Sequence, residues 1–170
     1  MPAAAYFTTL AHYNRWMNKR IYELCTQIPD TQRKKDLNAF FHSIHGTLNH
    51  LLLGDRIWLG RFKHTPFLCQ SLNQELYSDF ATLHQERTQT DSEILEWVNS
   101  LTDMALTARF SFNGVTTGQE RTYQLGHLIL HFFNHQTHHR GQVTTLITQS
   151  GYDIGVTDLL WLPDLALTNP

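Results

Sequence analysis

The sequence predicts an all-α protein: a four-helix bundle with a short hairpin or extended excursion before its last long helix. Three observations carry that expectation. Apolar residues recur every three or four positions over four long stretches, the spacing that lines up one face of a helix. Proline or glycine punctuates the chain near the ends of those stretches. One segment near residue 110 alternates instead, the two-residue period of a strand.

Tyr6, Phe7, Leu10, Tyr13, Trp16, Met17, Ile21 and Leu24 place a first helix over residues 4–27. Pro29-Asp30 ends it, because proline cannot continue the hydrogen-bond ladder. Phe41, Ile44, Leu48, Leu51 and Leu52 mark a second helix over 37–62, broken by Thr65-Pro66. Leu76, Phe80, Leu83, Ile94, Trp97, Val98 and Leu101 mark a third over 73–101, whose polar middle, His84 to Ser92, is expected to face solvent. From Thr107 to Tyr123 the pattern alternates around Asn113-Gly114, a turn signal. The fourth helix runs from about Tyr123 to Gln149, with Gly151 as its C-cap. Leu159, Leu160, Trp161 and Leu162, followed by Pro163, are expected to lie back against the core. With no internal repeat or low-complexity linker, residues 1–170 read as one domain.

Composition narrows the function. At 41% hydrophobic and 16% charged residues, the chain is a folded globular one. A net charge of −2 leaves no basic footprint, so no nucleic-acid partner is expected. No apolar run approaches the ~20 residues of a membrane span, and the N-terminus, Met-Pro-Ala-Ala-Ala-Tyr-Phe, does not read as a signal peptide. Cys25 and Cys69 form no Cys-x-x-Cys pair and are expected to be reduced, in a cytoplasmic protein.

Five of the eleven histidines fall between Gly126 and Gly141, and His131, His135 and His139 recur every four residues. Side chains at i and i+4 stack on one helix face, where two imidazoles can share one ion. His42, His45 and His50 on the second helix are the further candidates, and His50 lies in an apolar run where a charged histidine would be costly. His50, His135 and His139 would give three imidazoles and leave room for water, the open pattern of catalytic zinc. Nickel and iron suit nitrogen ligands as well. A histidine on an apolar face is ordinarily a hydrogen-bonded core residue, and spacing alone leaves both readings standing. His135-Gln136-Thr137-His138-His139 lacks the glutamate of a helical metalloprotease. The fourth helix carries no carboxylate from Gln124 to Gln149 to bridge two irons, so one ion is expected. His131 reads as a neighbour of the ligands or a core residue. Asp55 either orients a ligand imidazole or pairs with Arg56 or Arg140 at the surface. Arg140, Gly141 and Gln142 are placed near the pocket, and Gly141 signals close approach by another helix.

Three segments resemble a known family: His12-Tyr-Asn-Arg-Trp-Met-Asn-Lys-Arg-Ile-Tyr22, the run from Ile44 to Phe62, and Asn134-His-Gln-Thr-His-His-Arg-Gly-Gln-Val143. In that order they resemble the DinB/YfiT-like family of small metal-binding four-helix bundles. The resemblance implies one divalent ion per chain, zinc or nickel, held by His50, His135 and His139. It also implies a homodimer, and a small-molecule substrate handled with a low-molecular-weight thiol in a transferase or isomerase reaction. Two functions are thus expected to compete. One is a metal-dependent enzyme of thiol transfer or hydrolysis, with Asp55, His131 and Arg140 near the pocket. The other is a non-catalytic metal-binding or stress-response protein, its ion closed off by a fourth ligand such as His131 or His45. For either, metal affinity is expected to fall as pH drops through about 6.5.

Overall fold

A computed structural model describes residues 2–166; Met1 and residues 167–170 of the expected domain lie outside the described residues. The elements, in order, are α1 (Ala3–Cys25), the single turn α2 (Asp30–Arg33), α3 (Ile44–Phe62), α4 (Phe80–Asn99), the turn α5 (Asp103–Leu106), β1 (Arg109–Asn113), β2 (Glu120–Gln124) and α6 (Leu125–Gln149). A 3₁₀ turn, Leu159–Trp161, follows. The four long helices form a helical bundle in which α1 borders α4 and α6, and α3 borders α4 and α6.

Two apolar clusters fill the bundle, one at each end. Met17, Ile21, Leu48, Leu52, Leu83, Val143 and Ile147 belong to the first. Phe7, Ala11, Leu59, Phe62, Ile94, Val98, Ile129 and Phe132 belong to the second. Reading each helix from its N-terminus, α1 and α6 pass from the second cluster to the first, and α3 and α4 pass from the first to the second. So α3 and α4 run parallel, and the chain between them, residues 63–79, must travel back along the bundle. Asn49 pins that link: its Oδ1 accepts from Leu76 N (2.8 Å) and Tyr77 N (2.9 Å), while Nδ2 donates to Tyr77 O at 3.1 Å.

Between the clusters lies a buried polar layer to which all four helices contribute. Arg87 Nη1 donates to Asp55 Oδ2 at 2.5 Å, and Arg87 Nη2 lies 2.9 Å from Asp91 Oδ1. Asn18 Nδ2 and Asn14 Nδ2 donate to Asp91 Oδ1 at 2.9 and 3.1 Å, and Arg140 Nη1 donates to Asn14 Oδ1. Gln136 Nε2 completes the set by donating to Asp55 Oδ1 at 2.8 Å. Two carboxylates thus face two guanidiniums in a water-poor interior. Burial pushes Asp91 up to about 6 against the pull of Arg87, and raises Asp55 in the same way. Burial opposes the charge on Arg87 too, but Asp91 and Asp55 outweigh it and hold its pKa above the usual arginine value.

Several boundaries depart from the sequence pattern. The second long helix begins at Ile44 rather than 37, because Ser43 caps it: its Oγ accepts the Gly46 N–H at 3.0 Å. Upstream, Asn38 and His42 have φ of 55° and 65°, which no right-handed helix contains. The third begins at Phe80 rather than 73, since Asp79 Oδ1 accepts from both Thr82 N (2.8 Å) and Thr82 Oγ1 (2.7 Å). Its polar middle does not face solvent as a whole: Arg87, Thr90 and Asp91 are buried and supply the polar layer. Hydropathy marked them as outside, but charge complementarity put them inside. The hairpin forms, with Phe110 opposite Tyr123 and Phe112 opposite Arg121. Phe112 packs edge-on against Trp58 (centroids 5.0 Å), which lays the hairpin over the second cluster. The tail is half as expected. Leu159 and Leu162 pack on the first cluster, whereas Leu160 and Trp161 are exposed. Both cysteines are free. Among the described residues no helix is long and apolar enough to cross a membrane.

Replacing Arg87 leaves two buried carboxylates without their cation, which typically costs about 3–5 kcal/mol. Arg87→Met is therefore expected to lose about that much stability in urea unfolding. Lys63→Ala, which removes an exposed pair with Glu93, should lose under about 1 kcal/mol. Equal losses in the two variants would show that the layer is not what holds the helices together.

Candidate metal centre

The polar layer lies one turn from a second concentration of polar side chains. His50 on α3 and His135 and His139 on α6 each bring a ring nitrogen to within 4.8 Å of those of the other two. Their rings are 4.4 to 5.3 Å apart between centroids. The sequence puts them there for separate reasons. His135 and His139 are one turn apart on α6, and antiparallel packing of α3 on α6 carries His50 across to meet them. Gly54 makes that contact possible, because a Cβ at this position would lie 2.9 Å from His135 Cε1.

The outer nitrogens are spoken for. His50 Nδ1 lies 3.0 Å from Leu72 O, and His139 Nδ1 lies 2.7 Å from Gln142 Oε1. Carbonyl oxygens only accept, so both Nδ1 atoms carry the proton and both Nε2 atoms present lone pairs. Those two Nε2 atoms face each other at 3.3 Å. Phe41 stacks on His50 with centroids 3.8 Å apart and stands edge-on to His139 at 5.5 Å, closing one side.

Electrostatics keep the imidazoles neutral. Burial pushes His50 down to about 4, only partly offset by the Leu72 carbonyl. Burial, with the neighbouring His139, His50 and His131, pushes His135 down to about 3. His139 is lowered as well, again by burial first, with Gln142 opposing. Facing lone pairs on uncharged rings repel unless a cation lies between them. Two nitrogens bound to one ion at about 2.0–2.1 Å in tetrahedral geometry stand about 3.3 Å apart, so the observed separation suits a metal ion.

The remaining candidates have other places. Asp55 orients no imidazole and makes no surface pair; it is held in the interior by Arg87 and Gln136. Arg140 points away from the histidines to Asn14, with Tyr13 beneath it at 5.2 Å. Both belong to the polar layer because only there do their charges find partners. Gly141 is exposed and has nothing near its missing side chain, so the expected close helix approach occurs at Gly54 instead. His131 stands at the rim, 5.1 Å from Trp58 and 6.1 Å from His135 between ring centroids. His45 is buried one turn away, bonded through Nε2 to Tyr77 O at 2.9 Å. Among the described residues no further histidine, cysteine or carboxylate joins the three.

Beside the histidines opens a cleft of about 600 Å³, with His50 and His135 in its wall. Trp58 and Ile57 come from α3, His127 and His131 from α6, and Phe112 and Tyr123 from the hairpin that roofs it. Leu72, Gly54, Arg61 and the hairpin aromatics carried no local signal of the site, and Phe41, expected on the apolar side of the second helix, lies before its start at Ile44 and packs on His50. Gln142, expected near the pocket, is there, one turn from His139 and bonded to its Nδ1.

Comparison with known proteins agrees with the fold. A solved DinB-like protein from Bacillus cereus ATCC 10987 superposes with a TM-score of 0.62, covering 83% of this chain and 90% of its own at 19% identity. Protein DinB of Bacillus subtilis (strain 168) is 25% identical over 163 residues, 88% of each chain. The DinB family model matches residues 1–170, and with that match over the whole chain the protein belongs to the DinB family.

Proposed function

We propose that His50, His135 and His139 hold one divalent metal ion, zinc or nickel, and that the chain is a metal-dependent enzyme of small-molecule chemistry, a thiol-dependent transferase or a hydrolase. The observation that carries this reading is the pair of facing Nε2 atoms at 3.3 Å, each fixed by a carbonyl partner on the far side of its ring. When bound, such an ion supplies a Lewis acid that favours the deprotonated, nucleophilic form of a thiol or a water. Three ligands without a fourth from the described residues leave that ion open to a small molecule, which favours catalysis over a closed structural site.

The chain's own residues do the positioning. Leu72 O and Gln142 hold two imidazoles in the tautomer that ligates, and Phe41 covers one face of the His50 ring. Gly54 leaves the space that His135 occupies. The cleft is large enough for a small organic molecule. A homodimer in solution is part of the same reading, on family likeness.

Metal analysis of untagged protein should find about one ion per chain, and none in His135→Ala. Gln142→Leu is expected to weaken binding by about 10–100-fold, as loss of an outer partner does. A metal content unchanged by His135→Ala would refute the site. Turnover of a thiol with an electrophile should disappear in the same variant; activity that survives would refute the chemistry.

Burial also moves the pH window. Unfolded imidazoles take a proton near 6.5, whereas His50 and His135 in the fold do so near 4 and 3. Between those values these two histidines bind more protons in the unfolded chain, so their contribution to the stability of the metal-free protein should fall steadily from pH 6.5 down to about 4, whereas Asp91 and Asp55, both raised by burial, act in the opposite sense. The same shift carries the loss of metal affinity below the pH of about 6.5 expected from free histidine. Chemical denaturation of the metal-free wild type and His135→Ala at pH 7, 5.5 and 4 checks the sign; a stability advantage of the wild type that grows towards pH 4 contradicts it.

A further inference from the structure

The cleft wall is cationic and holds no carboxylate among the described residues. Arg61, on α3, lies against two aromatic rings that touch each other edge-on, its guanidinium carbon 4.6 Å from the Trp58 centroid and 4.5 Å from that of Phe112. Its Nη2 donates to Asn113 O at 3.1 Å, and among the described residues its other nitrogens have no acceptor. Arg121, on β2, projects from the roof and makes no ion pair among the described residues. A guanidinium drawn out of water without a counter-ion is costly, and burial accordingly lowers the pKa of Arg61. The three histidines add no negative charge, since an imidazole is either neutral or cationic. What the cleft lacks is an anion.

We infer that this cleft takes an organic anion, a carboxylate on an aromatic or apolar body, with Arg61 and Arg121 reading the charge while the body lies on Trp58, Phe112 and Tyr123. Planar guanidiniums match the two oxygens of a carboxylate, and the aromatic walls match a flat hydrophobic group. The inference deepens the proposed function and rests on it for the substrate's reactive end, which would meet the ion. The arginines act whether or not an ion is present.

Calorimetric titration with 2-naphthoate, the neutral isostere 2-naphthamide and the cation 2-naphthylmethylammonium tests this on the full chain, zinc-loaded and chelator-stripped. Naphthoate should bind at least tenfold tighter than the amide in both forms, and the ammonium weakest. In the stripped protein, where no ion can attract the carboxylate, Arg61→Gln and Arg121→Gln should each reduce the preference about fivefold to tenfold. Arg61→Lys, which keeps the charge and much of the packing, should retain part of it and shows whether a loss in Arg61→Gln reflects charge or disturbed stacking. A preference unchanged in both glutamine variants, or equal binding of acid and amide in stripped wild type, overturns the inference. Zinc stoichiometry of the wild type against His135→Ala is read separately. Failure of the metal site therefore shows as missing zinc, and failure of anion selection shows as missing discrimination.

Discussion

Arg87 is the residue on which the bundle's geometry depends most. Its buried guanidinium lies between Asp55 of α3 and Asp91 of its own helix, and Asp91 in turn gathers Asn14 and Asn18 from α1. A buried ion pair contributes little net stability compared with a well-packed apolar contact, but an incomplete one is severely destabilising. This layer therefore acts by exclusion. Any sliding of one helix by a turn would separate charges that have no access to water, so it allows one register. Apolar side chains at either end supply the bulk driving force but tolerate slippage far better.

The metal centre inherits that register. His50 lies five residues before Asp55 on α3, and His135 and His139 flank Gln136, which bonds Asp55, and precede Arg140, which bonds Asn14. Fixing Asp55 against Gln136 fixes the face of α3 against the face of α6, and the three imidazoles converge as a result. The link of residues 63–79 then completes the site from outside. Asn49, next to His50, pins Leu76 and Tyr77, so that Leu72 O is available to the His50 ring. Backbone and side chain thus cooperate across more than twenty residues of sequence to hold one proton on one nitrogen.

How much of this was legible beforehand follows from the range of each interaction. The four helices, the hairpin and the histidine trio all follow from short-range periodicity and spacing, which the chain displays openly. Helix starts were misplaced by seven residues at Ile44 and Phe80, since the Ser43 and Asp79 caps lie within stretches whose apolar residues continue the pattern. Asp55 and Arg140 were recognised as significant but given the wrong company. Their partners, Arg87 and Asn14, lie on helices whose neighbourhood no local pattern discloses. The same blindness hid Arg61 and the hairpin aromatics, which meet the site only through tertiary packing.

The parallel run of α3 and α4 has a consequence for how the chain reaches this state. A bundle made of consecutive antiparallel helices can assemble by zipping each helix onto the one before it. Here the major antiparallel contacts, α1 with α4 and α3 with α6, join segments separated by an intervening long helix. Chain closure over such distances comes before the contacts that reward it. Assembly of this all-helical protein is therefore governed by non-local encounters, and its speed should resemble that of a mixed α/β domain more than that of a simple helical hairpin stack.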